Sequence, residues 1–467
     1  MSVLERVRGA LRDRGGMWVV GGTVRDAELG RELRDIDLAT RDDPEAVARS
    51  LAEALSGPVF PLSEAFGAWR AVERESGSVC DVSPLQGDSI EADLSRRDFT
   101  VNAMARPLAG GKLVDPHGGR ADLEARLLRV LGPTAYEDDP LRALRLPRLA
   151  AELGFAPDPD TERLTREAAA GVSEASPERV FAELRRIVLA EGVLEGVAMA
   201  DRLGLLEAVL PELAGLHGVE QSQYHHLDVY GHTIEVLARQ LELEGRLPET
   251  FGEELAARLQ AVLDEPLADE LTRGQALRLG ALVHDVGKPA TRGVRPDGRI
   301  TFIGHDSVGE GMVRSLCRRL RMSEKLSRFL AGLTRHHLVL GFLVHARPLP
   351  REMVYRYLDG TAPVEVEVTL LSCADRLATR GKNAEPAIAA HLELGRELMR
   401  EALDWRASGG PKPAVRGDEL ARELQIEPGP ELGQLLEQLR EAAFTGTATT
   451  REAALDFARR LRDHREP

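Results

Sequence analysis

The stretch 19–40, VVGGTVRDAELGRELRDIDLAT, constrains this chain more than any other. A short apolar run ends in Gly21 and Gly22, a helix-like segment carrying Arg25 and Asp26 follows, and Asp35-Ile36-Asp37 comes next. If 35–39 is a strand, period-two alternation puts Asp35 and Asp37 on one face. Two carboxylates on a rigid face suit Mg²⁺, which prefers oxygen ligands and usually shares them with substrate phosphates. A glycine pair lets the backbone approach a phosphate, because no Cβ intervenes. A bare D-x-D is usually a turn with exposed acids. The Gly-Gly-x-x-Arg-Asp sequence upstream turns the reading towards a nucleoside triphosphate held beside metal.

The chain's 467 residues suggest several domains, and 43% apolar content allows a sizeable core. The net charge of −15 argues against a general polyanion binder. It leaves room for local basic stripes, nearly all of them arginine, since lysine occurs only at 112, 288, 325, 382 and 412. Arginine suits bidentate contacts to phosphates and base edges. The three cysteines, Cys80, Cys317 and Cys373, are spaced for neither a zinc cluster nor a disulfide framework. The first residues read as an amphipathic helix rather than a signal peptide, and no run is apolar enough to cross a membrane. A cytoplasmic location is expected.

Residues 1–135 read as a small α+β domain. Its expected strands are 17–20, 35–39, 78–82 and 112–115, and its expected helices 43–55 and 120–131. Asp81, at the end of GSVCDV, is a candidate third carboxylate. Within RRDFTVNAM (96–104), Arg97, Asp98 and Asn102 offer donors and an acceptor near an expected helix start. Residues 136–215 read as all helical. There Asp139 and Arg142 lie three apart and would share a helix face, which Arg145 continues. An aspartate that accepts and an arginine that donates suit a base edge. Further along, Arg185 and Arg186 are open to RNA or to solvent.

Residues 216–410 differ in composition, with ten of the twelve histidines falling between 216 and 405. These are His217, His225, His226, His232, His284, His305, His336, His337, His345 and His391. A lone histidine on a helix is usually structural. The order His232, His284-Asp285, His305, His336-His337, Asp375 is a set of imidazoles and carboxylates that suits first-row metals. Within this module 238–275 reads as a solvent-facing helical excursion. The stretch 407–413, ASGGPKP, reads as a linker to a helical tail over 411–467.

GGTVRD (21–26), Asp35-Ile36-Asp37, RRDFTVNAMA (96–105) and DDPLRALRLPRLAAELGF (138–155) together resemble the class II tRNA nucleotidyltransferase and bacterial poly(A) polymerase family. The resemblance implies a polymerase-β-like head followed by helical neck, HD and tail domains. It implies that Asp35 and Asp37 bind Mg²⁺ and that Gly21, Gly22 and Arg25 hold the triphosphate. Arg97, Asp98 and Asn102 would contact the sugar and phosphate. Asp139 and Arg142 would pair with the incoming base, C or A, with Arg145 beside them. The histidine pattern resembles the HD phosphohydrolase superfamily. That implies His232, His284, Asp285 and Asp375 as ligands of one metal, a transition metal or Mg²⁺, with His305 and His336 joining a second. Lys288 would neutralise a substrate phosphate. The tail resembles the part of such proteins that helps bind tRNA.

One departure narrows the function. CCA-adding members of the family carry a longer segment between the D-x-D strand and RRDFT, where a flexible loop helps the switch from C to A addition. Here only 81–95 joins the strand at Cys80–Val82 to Arg96. The sequence thus points to addition of CC from CTP to tRNA 3′ ends, with full CCA addition or A addition (from ATP) as the alternatives. A metal-dependent phosphohydrolase and an RNA-binding protein with an inactive head are the rivals from other classes.

Overall fold

The computed structural model describes residues 2–63, 67–222, 226–381 and 384–463; His225 and Lys382 lie outside the described residues. The chain forms two compact units, one up to Val209 and the other from Leu210 onward. The class is α+β, as the sequence implies, because the large sheet is confined to the first unit.

That sheet has six strands: β1 (Met17–Val20), β2 (Asp35–Thr40), β3 (Val59–Ser63), β4 (Ala68–Val72), β5 (Val79–Pro84) and β6 (Ala105–Pro107). Their order is β3-β4-β5-β2-β1-β6, and only β2 and β5 run parallel. Ile36, Leu38, Cys80 and Val82 are fully buried, so both central strands present one apolar face to the core. The opposite face carries Asp35 and Asp37, and parallel register sets Asp37 beside Asp81. The helix Pro44–Ala54 covers the apolar side with Val47, Ala48 and Leu51; Asp43 caps it and Pro44 opens it.

Several local expectations change. Residues 112–115 are not a strand: only Val114 pairs, across an isolated bridge to Ala105. The expected helix 120–131 is Gly119–Glu124, followed by a two-residue strand, Leu127–Leu128. RRDFT leads into a 3₁₀ turn, Thr100–Asn102, not an α-helix. The shared helix face for Asp139 and Arg142 does not form. One helix ends at Asp138, Asp139 is extended, and the next runs Arg142–Leu153. Pro140 explains the break, because proline disfavours the helical region for the residue before it.

Among the described residues the regular structure of the second unit is helical apart from two short hairpins. Its centre packs Val229–Glu244, Arg273–Val283, Glu324–His336 and Glu365–Ala378 together. The segment 238–275 is not a solvent-facing excursion. It supplies Leu243, Leu247, Phe251, Leu255, Leu259 and Leu263 to the core, while most of its acids are exposed. After the long helix Ala384–Ser408, Gly409 and Gly410 take positive φ and end it. Three helices follow, joined by Leu420, Leu435, Leu439 and Leu455.

Candidate functional site

The first unit holds a cavity of about 680 Å³ whose walls include Gly21, Gly22, Asp35, Asp37, Arg97 and Arg142. Gly21 has φ +63° and precedes the helix Gly22–Glu28. A Cβ there would lie 2.6 Å from an Arg97 guanidinium nitrogen, so glycine is what lets Arg97 lie across the turn. Gly21→Ala is therefore expected to cost about 1 kcal/mol of stability from the left-handed backbone. It should also displace Arg97 and weaken nucleotide binding. Denaturant unfolding and CTP titration check both effects.

Thr23 ties this helix to β2: its hydroxyl donates to the Asp35 carbonyl at 3.2 Å and accepts from the Asp37 amide at 2.7 Å. Asp37 has its carboxyl pushed up to about 6 by burial, then by the like charges of Asp81 and Asp35. Asp81 is held by Arg70 through two hydrogen bonds, at 2.7 and 2.8 Å. Burial and like charge together disfavour ionised Asp37 unless a cation joins it. The oxygen donors of Asp35 and Asp37 therefore fit a hard divalent cation.

Behind the turn runs a chain of buried polar contacts. Arg25 donates to Asp26 and, at 2.7 Å, to the Asn102 carbonyl oxygen. Asn102 donates to Asp98 at 3.0 Å, and Arg145 donates to its other oxygen at 2.9 Å. Glu183 lies 3.4 Å from Arg145 and 3.0 Å from Arg148. This places Glu183, which the sequence reading missed, in the wall of the cavity. Its position one turn after Arg179 on an amphipathic helix gives no sign of that role. Burial alone would raise the Asp98 carboxyl, but Arg145, Asn102 and the Phe99 amide hold it well below the usual carboxylate range. A depressed carboxyl stabilises the fold above its unfolded pKa of about 4, and that stability is lost as pH falls further. Arg145→Met leaves a buried carboxylate without its ion pair and should cost about 3–5 kcal/mol at pH 7. Adding Asp98→Asn should recover part of it, read as the denaturation midpoint.

Arg142 faces the same cavity but donates to the carbonyls of Ala135 and Arg96, at 3.1 and 2.8 Å. Asp139 is drawn aside by Arg179, at 2.6 Å, and Asp138 lines the cavity instead. Arg186 pairs with Glu152 at 2.8 Å.

In the second unit the imidazoles and carboxylates converge. Ligand atoms of His232, His284 and Asp375 lie within 4.8 Å of one another, and so do those of Asp285, His305 and His337. Asp285 joins the two sets. Its Oδ2 is 3.1 Å from His284 Nε2, and its Oδ1 is 3.4 Å from His305 Nε2 and 3.7 Å from His337 Nε2. Asp285 thus faces both sets rather than one. Lys288 lies 2.6 Å from Asp285 and donates to the Gln221 carbonyl oxygen at 2.7 Å.

The structure also corrects His336, since the second set contains His337. His337 is 1% exposed, whereas His336 is half-buried and belongs to neither set. Adjacent helical positions differ by about 100°, so only one of the pair can face inward. The signal was in the sequence: Leu326, Leu330 and Leu333 mark the buried stripe, and 337 continues it.

Nδ1 of His284, His305 and His337 lies 2.7–2.8 Å from the carbonyls of Ala281, Phe302 and Thr334. A carbonyl only accepts, so each Nδ1 carries a proton and each ring turns its Nε2 inward. His305 Nε2 and His337 Nε2 then face each other at 3.3 Å. Burial pushes His337 down to about 3, which keeps it neutral. Such a donor set fits a divalent metal, and the carbonyl bonds orient its ligands.

A D-x-D head with a cavity walled by arginines and aspartates, a helical extension and a His/Asp centre defines a nucleotidyltransferase with an HD domain. The comparisons agree. The family described as "Poly A polymerase head domain" matches residues 17–85 and 69–129. "Probable RNA and SrmB- binding site of polymerase A" matches 154–216, and "HD domain" matches 229–380. The CC-adding tRNA nucleotidyltransferase of Thermus thermophilus is 36% identical over 96% of this chain and 94% of its own. The A-adding tRNA nucleotidyltransferase of Deinococcus radiodurans is 34% identical over 95% of both. A solved CCA-adding enzyme with CTP shares the fold, with TM-score 0.62 and 19% identity over 99% of this chain and 94% of that one. The chain belongs to the class II CCA-adding type of tRNA nucleotidyltransferase, in its HD-containing form.

Proposed function

We propose that this protein adds cytidylate from CTP to the 3′ end of tRNA and stops after CC. The observation that supports the stop is the short path from β5 to the helix Ile90–Leu94, spanned by residues 85–89 alone. A pocket without a longer mobile segment there has little means of reshaping itself for A. On this reading 1–135 is the head, 136–215 the neck, 216–410 the HD domain and 411–467 a tRNA-binding tail, working in the cytoplasm. No helix among the described residues is long and apolar enough to cross a membrane.

Asp35 and Asp37 would hold Mg²⁺, which when bound supplies Lewis-acid stabilisation of the triphosphate charge. Gly21, Gly22 and Arg25 receive the phosphates at the start of a helix, where amide N–H groups point outward. Arg97 adds charge. Asp98 and Asn102 hold Arg25 and Arg145 in line and meet the ribose with their remaining hydrogen-bonding capacity. The terminal 3′-hydroxyl attacks the α-phosphorus, the bond to the β-phosphate oxygen breaks, and pyrophosphate leaves. Arg142 and Asp139 read the base once they exchange their present partners for it.

The decisive test offers ATP alone to tRNA already ending in CC. No incorporation is expected. Efficient addition of A would overturn the CC reading in favour of A or full CCA addition, to which relatives of this chain are assigned by name.

A second activity is supported by the two convergent sets of imidazoles and carboxylates: the HD centre is a metal-dependent phosphohydrolase. His232, His284 and Asp375 would hold one metal and His305 and His337 another, with Asp285 between. The bound metals supply an activated water.

A further inference from the structure

Two cavities border the His/Asp centre through different ligands. The larger, about 570 Å³, is lined by His305, Lys288, Phe302, Ile303, Arg335 and Phe342. The smaller, about 300 Å³, is lined by His337, Asp375, Arg376, His345, Ser372 and His391. They meet at the centre, because His305 borders one and His337 the other, with their Nε2 atoms 3.3 Å apart. Leu338 forms a wall common to both.

The two cavities differ in chemistry. In the larger, Ile303 and Phe342 are 77% and 72% exposed, a large apolar surface left to solvent beside a lysine and an arginine. Aromatic faces of that kind stack nucleobases. The smaller mixes apolar residues with a larger share of polar ones. His391 is 5% exposed and 3.2 Å from the Ser372 hydroxyl, and Arg376 has a buried Nε without a hydrogen-bond acceptor. An arginine there suits an anionic sugar-phosphate.

A phosphomonoester carries one substituent and needs one arm. A centre with an arm on each side suits a phosphorus atom with a substituent on each side. We propose that the two cavities are the arms of one site for a linear phosphodiester of RNA. The nucleobase on one side of the scissile phosphate lies against Phe302 and Phe342, and the sugar-phosphate on the other lies by Arg376 and His391. This rests on the phosphohydrolase reading only for the chemical step. In that step a water oxygen bonds to phosphorus and one ribose P–O bond breaks. The leaving oxygen takes the bonding pair and a proton, giving a phosphomonoester and an alcohol.

The test uses the full chain carrying Phe342→Trp, an exposed position where an added indole reports on the larger arm. Emission is read against the parent in metal-free buffer, titrating AMP and the RNA trinucleotide AAA. AAA is expected to bind at least about tenfold tighter than AMP. Adding Arg376→Gln should weaken AAA about tenfold and leave AMP within about twofold, while Arg376→Lys should retain part of the AAA affinity. Equal binding of AAA and AMP, or equal losses for both with Arg376→Gln, would overturn the proposal. If AAA binds as expected but neither AAA nor p-nitrophenyl phosphate is cleaved with Mg²⁺, Mn²⁺, Co²⁺ or Ni²⁺, the two-armed site stands and the phosphohydrolase reading falls.

Discussion

Asp37→Asn is expected to lower nucleotide addition by a factor on the order of 10²–10³ or more, the scale seen when one stabilising group is removed from a reacting centre. The same change should leave the fold as stable as before, or more so. Asp37 has its carboxyl raised to about 6 by burial and by Asp81 and Asp35. A raised carboxyl contributes its stability below the unfolded pKa of about 4 and loses it as pH rises through about 6. Above that, ionised Asp37 is a net cost to the protein without metal. The neutral asparagine avoids that cost, so its advantage over the parent should grow between about pH 4 and pH 6 and then level off. Melting curves without Mg²⁺, beside labelled CTP incorporation with it, test both halves. Near-normal addition would remove Asp37 from the metal site. A large drop in melting temperature would mean that the carboxylate is structural.

The second large effect separates two neighbouring histidines. His337→Ala removes a ligand from the set with Asp285 and His305, whereas His336→Ala changes a residue outside both sets. Loss of a partner that merely orients a ligand typically costs about 10–100-fold in metal affinity, and loss of a ligand should cost at least as much. Titration with Mn²⁺ or Ni²⁺ should therefore show a drop of about 100-fold for His337→Ala and little change for His336→Ala. Nucleotide addition should persist in both, since Asp35 and Asp37, the ligands proposed for it, lie in the other unit. Similar losses for the two variants would undo the assignment of the second metal position.

The contrast between those histidines marks where the sequence was legible. Asp35 and Asp37 were readable because strand periodicity is short-range, and Ile36 and Leu38 declare which face is buried. The helix Pro44–Ala54 was readable from its cap and apolar spacing. Strands β3, β4 and β6 were not: Val59–Ser63 is an irregular hairpin arm containing Pro61, and Ala105–Pro107 is only three residues long. Such strands exist through pairing with neighbours distant in sequence, which local pattern does not encode. Asp139 and Arg142 have the spacing of a helix face, but Pro140 breaks the helix between them. The bonds from Asp98 to Arg145 and from Glu183 to Arg148 span dozens of residues, and nothing local announces them. The acidic composition of 238–275 disguised a core segment, because its leucines recur at helical spacing beneath a charged outer face.

The central claim is that this chain builds the CC of the tRNA 3′ end and goes no further. It is tested most directly by sequencing the 3′ ends of tRNA lacking CCA after incubation with the protein, Mg²⁺, CTP and ATP together. The account predicts ends that accumulate at CC, with ATP present and unused. Ends completed to CCA by the protein alone would contradict it.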